Sequence, residues 1–199
     1  MKASILTALC VMAIALPMPA LPQETPKAED FSALLFLPSG AGQRMVGAGA
    51  TANVNIHIGS YTPDATAQKL AKTLLSQGQT GLRKDLEDMD VIGRVSLTGR
   101  VGQFQLKLIR SRPLPGGGRR IIGVSDRPIE FLEMYSGGRS TQYDIGIIQI
   151  DLKPPDKKGK EEGEGALIYA ATVKVIEANK VEVENYGVQP ARLMSVRKF

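Results

Sequence analysis

The chain has no tryptophan, one histidine (His57) and one cysteine (Cys10) among its 199 residues. A lone cysteine cannot close an intrachain disulfide, and one imidazole with one thiol leaves zinc short of its usual ligands. Aromatic residues make up only 5%, too few to alternate with basic side chains as stacking platforms for single-stranded nucleic acid do. Neither a Gly-x-Ser-x-Gly nor a His-Glu-x-x-His pattern occurs, and there is no Asn-x-Ser/Thr acceptor for glycosylation. No cofactor, metal or nucleic-acid partner is expected from this inventory. What remains is ordinary globular material, 43% hydrophobic and 23% charged, with 21 glycines and 12 prolines that favour turn-rich β structure.

The N-terminus reads as an export signal. Lys2 precedes an apolar run over residues 5–16, broken only by Thr7, and Pro17-Met18-Pro19-Ala20 follows. A basic residue, a short apolar stretch and small residues at a break make the pattern of a secretory signal peptide. The run is too short for a membrane core about 30 Å thick, which needs about 20 residues. Cleavage is expected after Ala15 or Ala20. Lipidation of Cys10 is disfavoured because bulky Leu9 precedes it. Without Lys2 the chain keeps 24 basic and 20 acidic residues, a mild net charge of +4. The expected organisation is a signal peptide over 1–20, a flexible leader over 21–30 and one domain over 31–199.

Periodicity supplies the elements. Residues 52–58 alternate, with Val54, Ile56 and Ile58 on one face and Asn53, Asn55 and His57 on the other. Thr62-Pro63-Asp64 reads as a helix start, with the Thr62 hydroxyl as cap and Pro63 in the first turn. Leu70, Leu74 and Leu75 follow at helical spacing and Gly78 ends the helix. A second helix is expected over 80–89, with Leu82, Leu86 and Met89 on one stripe. Residues 31–37 are an apolar run of strand length or a short helix, and strands are expected over 91–97, 103–112, 119–125, 143–152, 166–176, 180–185 and 191–197. In the 143–152 strand the alternation slips from Ile145 and Ile147 to Ile148 and Ile150, which predicts a β-bulge near Ile147. Residues 153–165 are lysine, acid, glycine and proline with no large apolar side chain, and read as a long solvated loop. Two helices followed by hairpins predict an α+β fold, a largely antiparallel sheet packed against a two-helix segment.

The candidate chemistry is sparse. The glycine-rich stretch 40–47 fails as a dinucleotide fingerprint, because its third glycine is displaced and a strand follows. Asp88-Met89-Asp90 opens like a calcium loop, but Ile92 and Gly99 stand where oxygen ligands belong. The strongest charge asymmetry is Lys107, Arg110, Arg112, Arg119 and Arg120, with no acid between them. If Arg112 faces Arg119 across a hairpin, then Arg110, Arg112 and Arg119 share one face. They could then hold an anionic lipid headgroup or a cell-wall glycan. The competing reading pairs these arginines with Asp126, Glu130 or the acids at 161–164. His57, Asp126, Arg127 and Arg139 are the residues to look for in a shared pocket.

The stretch Arg119-Arg120-Ile121-Ile122, followed by Ser125-Asp126-Arg127-Pro128-Ile129-Glu130-Phe131 and Arg139-Ser140-Thr141-Gln142-Tyr143-Asp144, forms one group of motifs. Glu184-Asn185-Tyr186-Gly187-Val188-Gln189-Pro190-Ala191-Arg192-Leu193, with Val196-Arg197, completes it. Over roughly residues 90–199 the chain resembles a family of exported bacterial proteins of unknown function. That resemblance implies export and supplies no mechanism. The expectation is a periplasmic or secreted, non-catalytic binding or structural module. The alternative is a small envelope hydrolase using His57 with an acid brought beside it by folding.

Overall fold

The computed structural model describes residues 28–37, 51–99, 103–129, 144–177, 180–185 and 190–199. The expected signal segment and the glycine-rich stretch lie outside them. Ten strands are described: β1 (Glu29–Phe36), β2 (Thr51–Ile58), β3 (Gly93–Leu97), β4 (Gln103–Leu106), β5 (Leu108–Pro113), β6 (Arg119–Val124), β7 (Ile145–Leu152), β8 (Glu162–Glu177), β9 (Lys180–Asn185) and β10 (Ala191–Lys198). They form one antiparallel sheet ordered β4-β3-β2-β1-β10-β8-β7-β6-β5, with β9 paired to β8. Its two ends, β4 and β5, are separated in sequence by Lys107 alone. The stretch expected to be one strand therefore pairs with β3 through its first half and with β6 through its second. That change of partner bends the sheet into a nearly closed barrel.

The expected α+β arrangement on two helices is corrected here. Among the described residues there is one helix, α1 (Asp64–Glu87), bent at Gly78, whose φ of 69° and ψ of −165° lie outside helical space. The helical geometry breaks at Gly78, where the sequence places a stop, but the helix does not end there. The freedom of glycine at positive φ makes a kink, and the helix resumes at once. Thr62 is not the cap either: its hydroxyl accepts from Ile109 N at 3.0 Å and its own N–H donates to Ile109 O at 2.8 Å. Thr62 thus pairs with the strand beside the point where that strand changes partner. A buried Lys107 reaches Met89 O at 2.5 Å, placing a cation at the helix C-terminus.

Alternation decides which side chains fill the barrel. Phe31, Leu35, Ile56, Phe104, Ile121 and Ile150 point inward and are buried. On the opposite face of β6, β7 and β8, Ile122, Val124, Ile145, Ile147 and Val173 are covered by Leu70, Leu74, Leu82 and Leu86 of α1. Each such leucine contributes roughly 2 kcal/mol by burial, which holds the helix to that side. The uncovered outer face of β2 carries Asn53 and exposed Asn55. The bulge expected near Ile147 is present as a register shift between Ile145 and Ile147. It lets Ile145 and Ile147 face the helix while Ile148 and Ile150 face the interior.

Candidate functional site

One end of the barrel is closed by charge. In β1 the inward stripe of Leu35, Ala33 and Phe31 ends in Glu29, which is only 9% exposed. Arg119 occupies the equivalent position at the start of β6, in phase with Ile121. Its Nη2 donates to Glu29 Oε1 at 2.9 Å and to Glu161 Oε2 at 2.6 Å, and its Nε donates to Glu161 Oε1 at 2.7 Å. Lys198 of β10 donates to Glu29 Oε1 at 2.7 Å and lies 3.2 Å from Glu161 Oε2. The Tyr61 hydroxyl donates to Glu29 Oε2 and accepts from Arg119 Nη1 at 3.1 Å. Two carboxylates and two cations therefore balance at the rim.

The electrostatics follow from those contacts. Burial alone would raise the Glu29 carboxyl, but hydrogen bonds from Arg119, Lys198 and Tyr61 outweigh it and hold the group down to about 2. Glu161 is lowered in the same way, its burial overcome by Arg119 and Lys198. Arg119 and Lys198 are raised, since their carboxylate partners outweigh the desolvation that would lower them. Burial and the Glu29 charge both push the Tyr61 phenol up. None of these groups is poised to exchange a proton near neutrality, so the cluster is a structural lock in its chemistry.

The residues singled out from the sequence are dispersed. The β5–β6 register pairs Arg112 with Arg120 and Pro113 with Arg119, one position away from the pairing expected. Arg119 keeps the interior face of Ile121, and in an antiparallel pair that slip puts Arg110 and Arg112 on the other. Arg110 donates to Thr62 O at 2.7 Å and pairs with Asp64. Arg120 grips Asp151 through two bonds of 2.5 Å. The competing reading, pairing with the 161–164 acids, holds for Arg119.

His57 lies at the same end as Glu29, and its Nδ1–H donates to Asp30 Oδ1 at 2.7 Å. Asp126, buried and paired with Arg127 at 3.1 and 3.2 Å, follows the opposite end of β6, beside Gly146. His57 and the Asp126–Arg127 pair thus belong to opposite ends of the barrel. Arg139 lies outside the described residues.

Sequence reasoning missed Glu29, Tyr61 and Lys198. Glu29 and Asp30 fall in the expected leader, although Glu29 continues the odd-numbered stripe of Phe31, Ala33 and Leu35. Ser195-Val196-Arg197-Lys198 also has the Ser-x-x-Lys spacing of a serine nucleophile and its base. Here Ser195 is exposed on a strand while Lys198 is tied to two carboxylates, so the pair cannot act together. Among the described residues no group of His, Cys, Asp and Glu side chains could hold a metal ion, and no helix is long and apolar enough to cross a membrane. No family model, curated protein or solved structure matches the chain.

Proposed function

We propose that the protein is an exported, non-catalytic binding or structural module of a bacterial envelope, acting in the periplasm or secreted. The N-terminal pattern of Lys2, the apolar run at 5–16 and Ala20 supports export. The resemblance over residues 90–199 agrees with it. The observation that carries the non-catalytic reading is the rim cluster, in which Glu29, Arg119, Glu161 and Lys198 neutralise one another. Their protons are fixed far from neutral pH, as suits a scaffold. Mass determination on protein from the envelope fraction tests export: a mature chain should begin after Ala15 or Ala20, and an intact Met1 would overturn the reading.

One observation favours the alternative of a small hydrolase. Folding brings Asp30 to His57, a carboxylate–imidazole pair that could orient a general base. Turnover of short acyl esters that disappears in His57→Ala would establish the alternative. Absent turnover supports the module, and turnover unchanged in the variant rules out His57 as its base.

A further inference from the structure

The basic side chains at this end of the barrel include two groups, set among the acids Asp156, Glu162 and Glu164. Arg110, Arg119, Arg120 and Lys198 each face a carboxylate of the same chain. Lys153, Lys157, Lys158 and Lys160, in the connection from β7 to β8, are exposed and have no ion-pair partner among the described residues. The connection is nevertheless held in one shape. Asp156 N donates to Lys160 O at 2.9 Å, and Gly159 N donates to Asp156 O at 2.9 Å. Asp156 Oδ1 accepts from the backbone N–H groups of Lys158 and Lys160, both at 2.8 Å. Gly159, with φ of 76°, supplies the positive angle that the turn requires. Pro154 stands against Gly117, which sets the connection beside the turn between β5 and β6. The loop expected over 153–165 is thus shorter than its composition suggests, since β8 begins at Glu162, and it is ordered by its own aspartate.

We infer that this lysine loop docks the end of the barrel on an anionic lipid surface. The proposal rests on the envelope reading, which puts the protein beside membranes. Lysine ammonium groups are compact point charges without the fork that reads a single phosphate, and they suit a plane of many headgroups. No aromatic side chain is interleaved with them to stack on a polymer. Each lysine held near an acidic leaflet adds about fivefold to affinity. Preorganisation by Asp156 lowers the entropy cost of presenting four of them together.

Sedimentation of the full chain with vesicles tests this, comparing phosphatidylcholine alone with phosphatidylcholine mixed with phosphatidylglycerol. The apolar run at 5–16, where still present, binds both kinds alike, so the difference between them isolates charge. The wild type should prefer the anionic vesicles and release them as salt rises from 0.1 to 1 M, where the screening length falls from about 10 to about 3 Å. Lys157→Gln/Lys158→Gln/Lys160→Gln should weaken that binding on the order of 100-fold. Lys69→Gln/Lys72→Gln/Lys84→Gln, which removes the same charge from α1, should leave it nearly unchanged. Equal binding to both vesicles, or equal loss in both triple variants, overturns the proposal. So does capture of a soluble anionic polysaccharide without vesicle binding, which would make the partner a glycan. A processed chain that ignores anionic vesicles overturns docking and leaves export standing, whereas an intact Met1 overturns export whatever the vesicles show.

Discussion

Replacing Glu29 with Gln removes one charge from a site where Arg119, Lys198 and Tyr61 converge on it. The carboxyl falls from an ordinary 4.5 to about 2 in the folded chain. A folded value below the unfolded one means the stabilisation is complete above the unfolded pKa and is lost as pH falls from about 4.5 to 2. Taken as linkage, a shift of this size corresponds to about 3 kcal/mol at neutral pH and about 1 kcal/mol at pH 3. A direct argument agrees. With a neutral amide in place of the Glu29 carboxylate, Arg119 and Lys198 would share Glu161 alone. Breaking one partner of a buried pair costs about 3–5 kcal/mol, with the lower end fitting a rim position. Urea unfolding of wild type and Glu29→Gln at pH 7, 4 and 3 measures both quantities. The variant should be less stable by about 3 kcal/mol at pH 7, and the two curves should converge as the acid is titrated. A deficit under about 1 kcal/mol at pH 7 would show that solvent screens the cluster as it does an exposed pair. A deficit independent of pH would place the damage in packing instead of charge.

Two glycines test the backbone. A Cβ at Gly165 would lie 2.2 Å from Gln149 O across the β7–β8 pair, so Gly165→Ala should cost about 3 kcal/mol in thermal or urea unfolding; an unchanged midpoint would contradict the pairing. Gly78→Ala should destabilise by about 1–3 kcal/mol because of its positive φ, although alanine is the better helix former. A stabilised Gly78→Ala would mean that α1 is straight.

Much of the sheet is legible in the sequence, and the failures have physical causes. Period-two alternation identifies the strands, and the slip at Ile147 reveals a bulge because a change of phase needs an extra residue in the pleat. Closure is hidden, since alternation reports which face is buried and not which neighbour a strand takes. Residues 103–112 read correctly as extended, yet nothing in their pattern says that Phe104 pairs toward β3 and Ile109 lies beside β6. The arginine trio fails through register: Arg119 keeps the face of Ile121 in either pairing, and the one-position difference puts Arg110 and Arg112 on the other. The turn between β5 and β6, closed by Leu114 N to Gly118 O at 2.8 Å, sets that register, and composition does not predict its length. Thr62 fails as a cap because a hydroxyl that can accept at a helix start can equally accept from a strand.

The same reasoning accounts for a strained residue in β10. Ala191 and Leu193 face the interior, and strict alternation would continue with Ser195 and Arg197, sending Lys198 outward. Pairing with β8 instead shifts between Leu193 and Val196, and pairing with β1 shifts between Ser32 and Leu34. Ser195 lies between Leu193 and Val196 at φ of 51°, the one non-glycine at positive φ among the described residues. A left-handed residue costs roughly 1–2 kcal/mol. The phase change it produces buries Val196 and brings Lys198 to Glu29, a residue 169 positions earlier in the chain. Without it, Arg119 would be the single cation between two carboxylates, Glu29 buried and Glu161 half-buried, and an uncompensated buried charge costs several kcal/mol. The strain at Ser195 is therefore the smaller of the two costs, and it keeps the rim neutral where β1 and β10 meet.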